Sequence, residues 1–440
     1  MLRRVLWQEE YSLNDVFQSP EYRRSRVAYH IQCVTEYLVT LLVADAFLAK
    51  LLKSLGLSDS MVGVVSSLMS LAFLVQLLTI FLMQHIQNVK RTVLVIDITS
   101  MLCFMCTYFL PFVPVSAPVR TMLVFATIGG GFLFKYLQLN IYYKWGNSFV
   151  SPEGRGTFSA RNEAISIGIG VVFTLIVGNL VDQYEKQGRL EACFFLIACT
   201  IAALTVIDFF MLLIIKKYSA QDAVRQQKSF RDVLRHTLGN RNFRNVVIMI
   251  SLYDMGRYLT IGFLGTFKTQ DLMLSVGTVQ LINIAANGLR CVLSRPIGRW
   301  ADRTSFAHVY RMGLWLCAIS FLLLAFTTAE RWWLIIAYTV AYDVSMAGIA
   351  GNANNMTYSY VPIDYFVQAQ AVRSSIAGTL GFAASLVGGR LLAAVQAGGN
   401  RVLGIPLHGQ QLLAILSFFI MLVAIAFNKR VVARQKVMKQ

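Results

Sequence analysis

Apolar runs of about 20 residues, each bounded by a short polar cluster, recur from one end of the chain to the other. About 20 such residues at 1.5 Å rise cross the ~30 Å hydrocarbon core of a bilayer, so each run reads as a transmembrane helix. In the first half the pattern predicts spans at about Val27–Lys50, Ser60–Met83, Arg91–Pro114, Val119–Tyr143, Phe158–Val181 and Leu190–Ile215. In the second half it predicts Asn245–Phe267, Val276–Ile297, His308–Phe326, Trp332–Met356, Ala371–Val395 and Leu403–Phe427. Between the halves lies Lys216–Arg244, a polar stretch with eight Lys or Arg in 29 positions. Within it Phe230, Val233, Leu234 and Leu238 follow helical spacing, interleaved with Lys228, Arg231 and Arg235. That pattern predicts a short amphipathic helix lying on the inner leaflet.

The expected organisation is an all-α membrane protein in five parts. A cytoplasmic tail (1–26) is followed by a six-helix bundle (27–215) and the basic linker (216–244). A second six-helix bundle (245–428) and a C-terminal tail (429–440) complete it. Composition agrees, because 56% hydrophobic and 14% charged residues exclude an ordinary soluble domain. A net charge of +18 could suggest nucleic acid, but the cations sit between apolar runs, where anionic lipid is the fitting partner. Of the 40 Lys and Arg, 28 fall in segments on the linker's side and seven on the other, which places both termini in the cytoplasm. A plasma-membrane location follows as the expectation.

The seven cysteines lie in or beside apolar runs, and the Cys103–Cys106 spacing lacks a second ligand pair. The five histidines are scattered, and no phosphate-binding Gly-rich loop occurs. Neither an enzyme, a cofactor nor a metal site is therefore expected. A membrane-embedded transferase and a passive channel are the alternatives of another class.

The halves also resemble each other. Segment 150–165 (VSPEGRGTFSARNEAI) and segment 361–376 (VPIDYFVQAQAVRSSI) share Val, an acidic residue, Ala and Ile at a constant offset. Both follow the fourth span of their half, as a duplicated six-span unit requires.

The loop after the eighth span reads GRWADRTSFAHVYR from Gly298 to Arg311. It resembles the G-x-x-x-D-R loop signature of the major facilitator superfamily in its second-half copy. The first-half position, Leu82 to Arg91, keeps the basic end (Lys90, Arg91) but lacks the Gly and Asp. Arg155 with Gly156, and Arg161, also look like that family's loop between spans four and five. The resemblance implies two pseudo-symmetric six-helix bundles around a central cavity lined by spans one, four, seven and ten. It further implies a cytoplasmic latch, here Gly298, Asp302 and Arg303 with Arg155 and Arg161. The fifth span lacks the Gly-Pro signature of drug/proton antiporters, which leaves efflux as the alternative reading.

Ionisable groups at bilayer depth cost about 2.5–3.5 kcal/mol on insertion scales, so they require partners or water. Glu36 lies roughly 15 Å beyond Arg26 along a helix, near the midplane, with Thr40 one turn on. Lys135, Gln138 and Tyr142 share a face of the fourth span; Tyr253, Asp254 and Arg257 sit together in the seventh. Tyr338, Tyr342 and Asp343 are deep in the tenth. All eleven are candidate cavity residues for a small polar or anionic solute, with Glu36 the candidate proton carrier. Helical spacing places Asp45 about 180° from Glu36, so the two are not expected to face one cavity. Asp97, Asp208 and Arg390 read as structural, and Arg290 has no assigned partner. The expected protein is a monomeric secondary transporter with protons as coupling ion.

Overall fold

The computed structural model describes residues 20–79, 86, 88–150, 155–216, 230–362, 365–402 and 404–435. The first-half loop at Leu82, the positions Lys228 and Glu153, and both chain ends lie outside them. The described chain is helical apart from a small hairpin. The N-terminal bundle comprises α1 (Pro20–Leu42), α2 (Asp45–Ser54), α3 (Asp59–Thr79), α4 (Val89–Phe109), α5 (Ala117–Asn147), α6 (Arg155–Lys186) and α7 (Leu190–Ile214). After the linker come α8 (Phe230–Leu238), α9 (Arg241–Asp271), α10 (Val276–Arg303), α11 (Phe306–Ala325), α12 (Leu334–Tyr360), α13 (Phe366–Ala397) and α14 (Gly409–Arg430). Strands β1 (Arg401–Val402) and β2 (Ile405–Pro406) join α13 to α14, with Gly404 supplying the φ of +83° in the turn. Eleven of these helices are long and apolar enough to cross a membrane, and the bent pair α1–α2 makes a twelfth span.

Side-chain caps set several helix starts. Ser58 accepts from the Met61 N–H, Asn88 from Arg91, Ser275 from Thr278, and Asn240 from both Asn242 and Phe243. Helix ends at the linker side are closed by charge: Lys90 Nζ donates to the Ile215 carbonyl at 2.7 Å, a cation on a helix C-terminus. Beside it Lys216 donates to Glu21 at 3.0 Å, and that hydrogen bond holds the ammonium above its ordinary pKa.

Each bundle has its own apolar core. Phe47, Leu51, Phe104, Tyr108 and Phe194 centre the first, and Phe243, Phe267, Leu314, Phe321 and Ile335 the second. Large apolar side chains also point outward, among them Val172, Ile176, Phe210, Val292 and Val423. A soluble protein would not expose them so freely; hydrocarbon chains cover them in a bilayer.

Two departures from the expected layout matter. The first span is not one helix from Val27 to Lys50. It breaks after Leu42 and turns by 49°, with Asp45 at a φ of +43°. The Leu42 carbonyl freed by the break accepts from Tyr108 Oη at 2.6 Å, so the backbone remains satisfied inside the bundle. The linker helix α8 also differs. It buries Val233 and Thr237, packs on α9 and α13, and stacks His236 on Tyr365 at 4.6 Å. Part of its apolar face is therefore turned to the second bundle rather than to lipid.

The bundles meet most closely at the end remote from the linker. There α3 crosses the last turns of α9, and a Cβ added to Gly63 would lie 1.9 Å from the Phe263 ring. A Cβ added to Gly262 would lie 2.5 Å from the Gly63 carbonyl. Replacing Gly63 by Val should cost this closed end about 1–3 kcal/mol through overpacking. The measurement is thiol labelling of a cysteine introduced at Ser60, which should rise severalfold; unchanged labelling would show that the crossing does not hold the end shut.

Candidate functional site: a charged cavity between the bundles

A cavity of about 960 Å³ lies between the bundles. Its walls come from α1 and α5 on one side, α9 and α12 on the other, with α6 and α10 between them. Glu36, Lys135, Tyr142, Arg257, Tyr338, Tyr342 and Asp343 all line it. Lys135 Nζ lies 3.0 Å from Glu36 Oε1 and donates to Thr40 Oγ1 as well, so α1 and α5 are tied by a half-buried ion pair. Tyr142 stacks on Tyr29 with centroids 4.7 Å apart, and Tyr338 stacks on Tyr342 at 5.9 Å.

Four other candidates sit behind the wall. Thr40 acts through Lys135. Gln138 is 2% exposed and turned into the first bundle, where it donates to Asp97. Tyr253 donates to the Met346 sulfur at 2.8 Å, and Asp254 lies 4.0 Å from Arg257 at the back of α9. Helical spacing alone cannot separate a cavity-facing residue from its neighbour 50–100° round the helix, and here that difference decides.

Asp45 requires the main correction. The break after Leu42 swings it round, so it lines the same cavity as Glu36. The opposite-face expectation assumed a continuous helix. Asp45 Oδ2 accepts from Lys268 at 3.1 Å and from Asn283 at 2.9 Å, both in the second bundle. Lys268 stands in a π-helical turn, Phe267–Asp271, whose i→i+5 winding shifts the side chains round the helix relative to an α-helix. Asp45 is thus a clasp between the halves.

A second clasp lies nearby. Asp182 on α6 accepts from the backbone N–H groups of Val276 and Gly277, each at 2.8 Å. A carboxylate is placed on the N-terminus of α10, where unsatisfied N–H groups and the helix dipole favour it. Further bonds cross between the bundles at this end, from Ser60 to the Gly389 carbonyl at 2.7 Å and from Gln396 to Asp59 at 2.7 Å.

The linker end differs. Gly298 has open space around it, and Arg299, Asp302 and Arg303 are exposed. Asp302, Arg303 and Arg161 enter no ion pair among the described residues. Arg155 begins α6, and its side chain lies outside the described set. Asp302, Arg303 and Arg161 therefore make no ion pair with one another among the described residues, while polar bonds between the bundles close the opposite end.

Arg290 and Asn287 on α10, and Asn162 and Glu163 on α6, complete the polar lining and were not among the expected cavity set. Arg290 was visible as a deep charge, but spans five and eight were not read as walls. Lys135 and Lys268 are each matched by a carboxylate. Arg257 and Arg290 have no carboxylate oxygen closer than 4.0 Å among the described residues. No group of three or more His, Cys, Asp or Glu is arranged to hold a metal ion among the described residues.

No family model matches the sequence, and no curated protein matches it. Solved structures do match in fold. The nucleoside transporter NupG aligns with a TM-score of 0.66 at 13% identity, covering 95% of this chain and all of that one (100%). An auto-inhibited POT-family peptide transporter aligns at 0.68 and 11% identity, covering 96% and 98% of the two chains. A bacterial metal transporter aligns at 0.61 and 12% identity, covering 95% and 99%. The chain has the major facilitator fold, with two six-helix bundles, as the loop motif and span count imply.

Because Asp45 and Lys268 are the pair that joins the bundles beneath the cavity, losing one partner leaves a partly buried charge uncompensated. Lys268→Ala should cost on the order of 3 kcal/mol, and pairing it with Asp45→Asn should cost less than the sum of the two singles. Thermal unfolding of the four purified proteins gives the coupling directly; strict additivity would show that the pair does not act as a unit.

Proposed function

We propose that this chain is a secondary transporter that carries a small polar, anionic solute across the plasma membrane by alternating access. The observation that carries the reading is the unequal closure of one continuous cavity. Its far end is sealed by Asp45, Asp182, Ser60 and Gln396, and its linker end has Asp302 and Arg303 exposed. With the basic linker on the cytoplasmic side, as the distribution of Lys and Arg supports, this is the inward-facing member of an alternating pair. A latch formed by Gly298, Asp302 and Arg303 with Arg155 and Arg161 would close in the other.

The anionic preference rests on Arg257 and Arg290. Arg290 enters no ion pair among the described residues, Arg257 meets Asp254 only at 4.0 Å, and the stacked Tyr338–Tyr342 pair offers an apolar surface beside them. Partly exposed guanidinium groups with unused donors on a cavity wall favour carboxylate or phosphate oxygens. The solved neighbours are nucleoside, peptide and metal transporters, which supports transport in general over any one cargo. Glu36 serves as proton carrier in this reading: protonation releases Lys135, and the freed ammonium can then meet the solute. The chain acts as a monomer, since one copy holds a complete cavity.

Counterflow of labelled organic anions in proteoliposomes, with and without a pH gradient, tests the proposal. Wild type should accumulate one class of anion when the gradient is imposed. Arg290→Ala should raise the solute concentration for half-maximal uptake by about 10-fold or more, consistent with about 1.5–3 kcal/mol for a lost charge-assisted hydrogen bond. Glu36→Gln should retain exchange but lose pH-driven accumulation. Accumulation by Glu36→Gln at the wild-type rate would remove Glu36 from the coupling step.

A further inference from the structure

Behind the cavity wall, the first bundle contains two carboxyl groups that the transport geometry does not use. Asp97 on α4 is 1% exposed and Asp208 on α7 is 0% exposed. No Lys or Arg lies within ion-pair distance of either among the described residues. Instead both are gathered on one turn of α1, where Thr35 Oγ1 lies within hydrogen-bond distance of Asp208 and of the Gln32 carbonyl while the Gln32 amide reaches Asp97, which brings the two carboxyl groups together. Asp97 accepts from Gln138 through Oδ1 and weakly from Gln32, at 3.5 Å, through Oδ2. Asp208 Oδ1 accepts from Thr35 Oγ1 at 2.7 Å. The remaining oxygen, Asp208 Oδ2, is buried and has no donor.

Counted over the four carboxyl oxygens, one donor is missing. Two ionised carboxylates without a cation, in contact and shielded from water, repel each other and carry an uncompensated charge. One proton removes both difficulties, because a protonated carboxyl then donates to its neighbour and supplies the missing hydrogen for Oδ2. We infer that Asp97 and Asp208 form a proton-binding site that holds one shared proton inside the first bundle. The balance is simple: the pair takes one proton from water and its charge falls from −2 to −1 as one O–H···O bond forms.

The site touches the cavity through side chains. Gln138 joins Asp97 to α5, and Gln32 links Asp97 to Tyr142, whose hydroxyl donates to Gln32 Oε1. Tyr142 lines the cavity and contacts the Cys33 sulfur at 3.2 Å. The charged groups facing the pair are Glu36 from α1 and Lys135 from α5. Helix α6 also packs on α7, but it commits Asp182 and Glu185 to other partners and exposes Arg161 and Glu163. Loss of the shared proton would therefore change the field at Glu36–Lys135 without any solute contact. A role for this proton in coupling rests on the transport reading above. The site itself does not, and its test needs no solute.

Infrared titration of the full-length protein in lipid nanodiscs reads protonated carboxyl groups directly. Wild type should show a buried protonated-carboxyl band at neutral pH that the Asp97→Asn, Asp208→Asn double variant lacks, with a loss equal to one carboxyl. A band of undiminished intensity in the double variant would overturn the proposal. Thermal unfolding from neutral to alkaline pH provides the second reading. Wild type should lose stability with rising pH up to the point at which the shared proton leaves, since over that range the folded state binds one proton more than the unfolded chain, and the slope ends once both have lost it. The Asn variants, single or double, should lose measurably less over the same range. A folded variant with the wild-type alkaline slope would equally overturn it.

Discussion

The contact on which this conformation depends is the ion pair between Asp45 and Lys268, with Asn283 as a third member. It is a contact between halves, placed at the base of a cavity that those halves share. Its two partners reach it through two irregularities of the backbone. Asp45 follows a break with positive φ, and Lys268 stands in a π-helical turn. Neither irregularity is stable in isolation, because each interrupts the α-helical ladder within a low-dielectric surrounding. Tyr108 repairs one by donating to Leu42, and the pair itself compensates the desolvation of its own charges. Break, clasp and cavity are thus mutually dependent features.

The same end shows why closure can be reversible. An interface of packed large side chains would commit the bundles to one arrangement. Here glycines at positions 63, 178, 262 and 277 let helices approach, while carboxylates 45 and 182 supply directional bonds. Small-residue contacts in a bilayer gain little from hydrophobic burial, since lipid tails are as apolar as the partner helix. In the alternating-access reading, opening would part a few polar contacts that water can replace, together with the packing of Phe263 on Gly63. Asp182 illustrates the point: its partners are two backbone N–H groups that water could satisfy once the end opens.

Much of the fold was legible in the sequence because the bilayer imposes length and hydrophobicity directly on each span. The twelve-span count, the basic linker and the G-x-x-x-D-R loop all followed from local pattern, and the solved neighbours share that fold. The cavity was legible only in part. Glu36, Lys135, Tyr142 and Arg257 stand out as charges or phenols at depth, a property of single positions. Asp45 could not be placed, since the break after Leu42 has no Gly or Pro to announce it. Its causes, Tyr108 and Lys268, are 66 and 223 residues away from their respective partners. Gln138 and Asp254 failed for a related reason: a helix turned by one position exchanges wall for core.

Charge in this protein is arranged in two layers that obey different rules. On the cavity wall, Glu36 with Lys135 and Asp45 with Lys268 are opposite charges held in partial contact with water, where pairing lowers the desolvation cost and leaves each pair able to part. Behind the wall, Asp97 and Asp208 are fully buried without an ion-paired cation among the described residues, and in the site proposed above a shared proton reconciles them. Wall pairs can answer to solute and to movement of the bundles; the inner pair can answer only to pH. Gln32, Gln138 and Tyr142 stand between the layers, and they hold the two sites within electrostatic reach while keeping cavity water from the carboxyl groups. A protein with only the outer layer could sense its cargo. The inner layer, as the shared-proton site proposed above, would give the first bundle a second variable, set by proton activity and felt at Lys135 through the field alone.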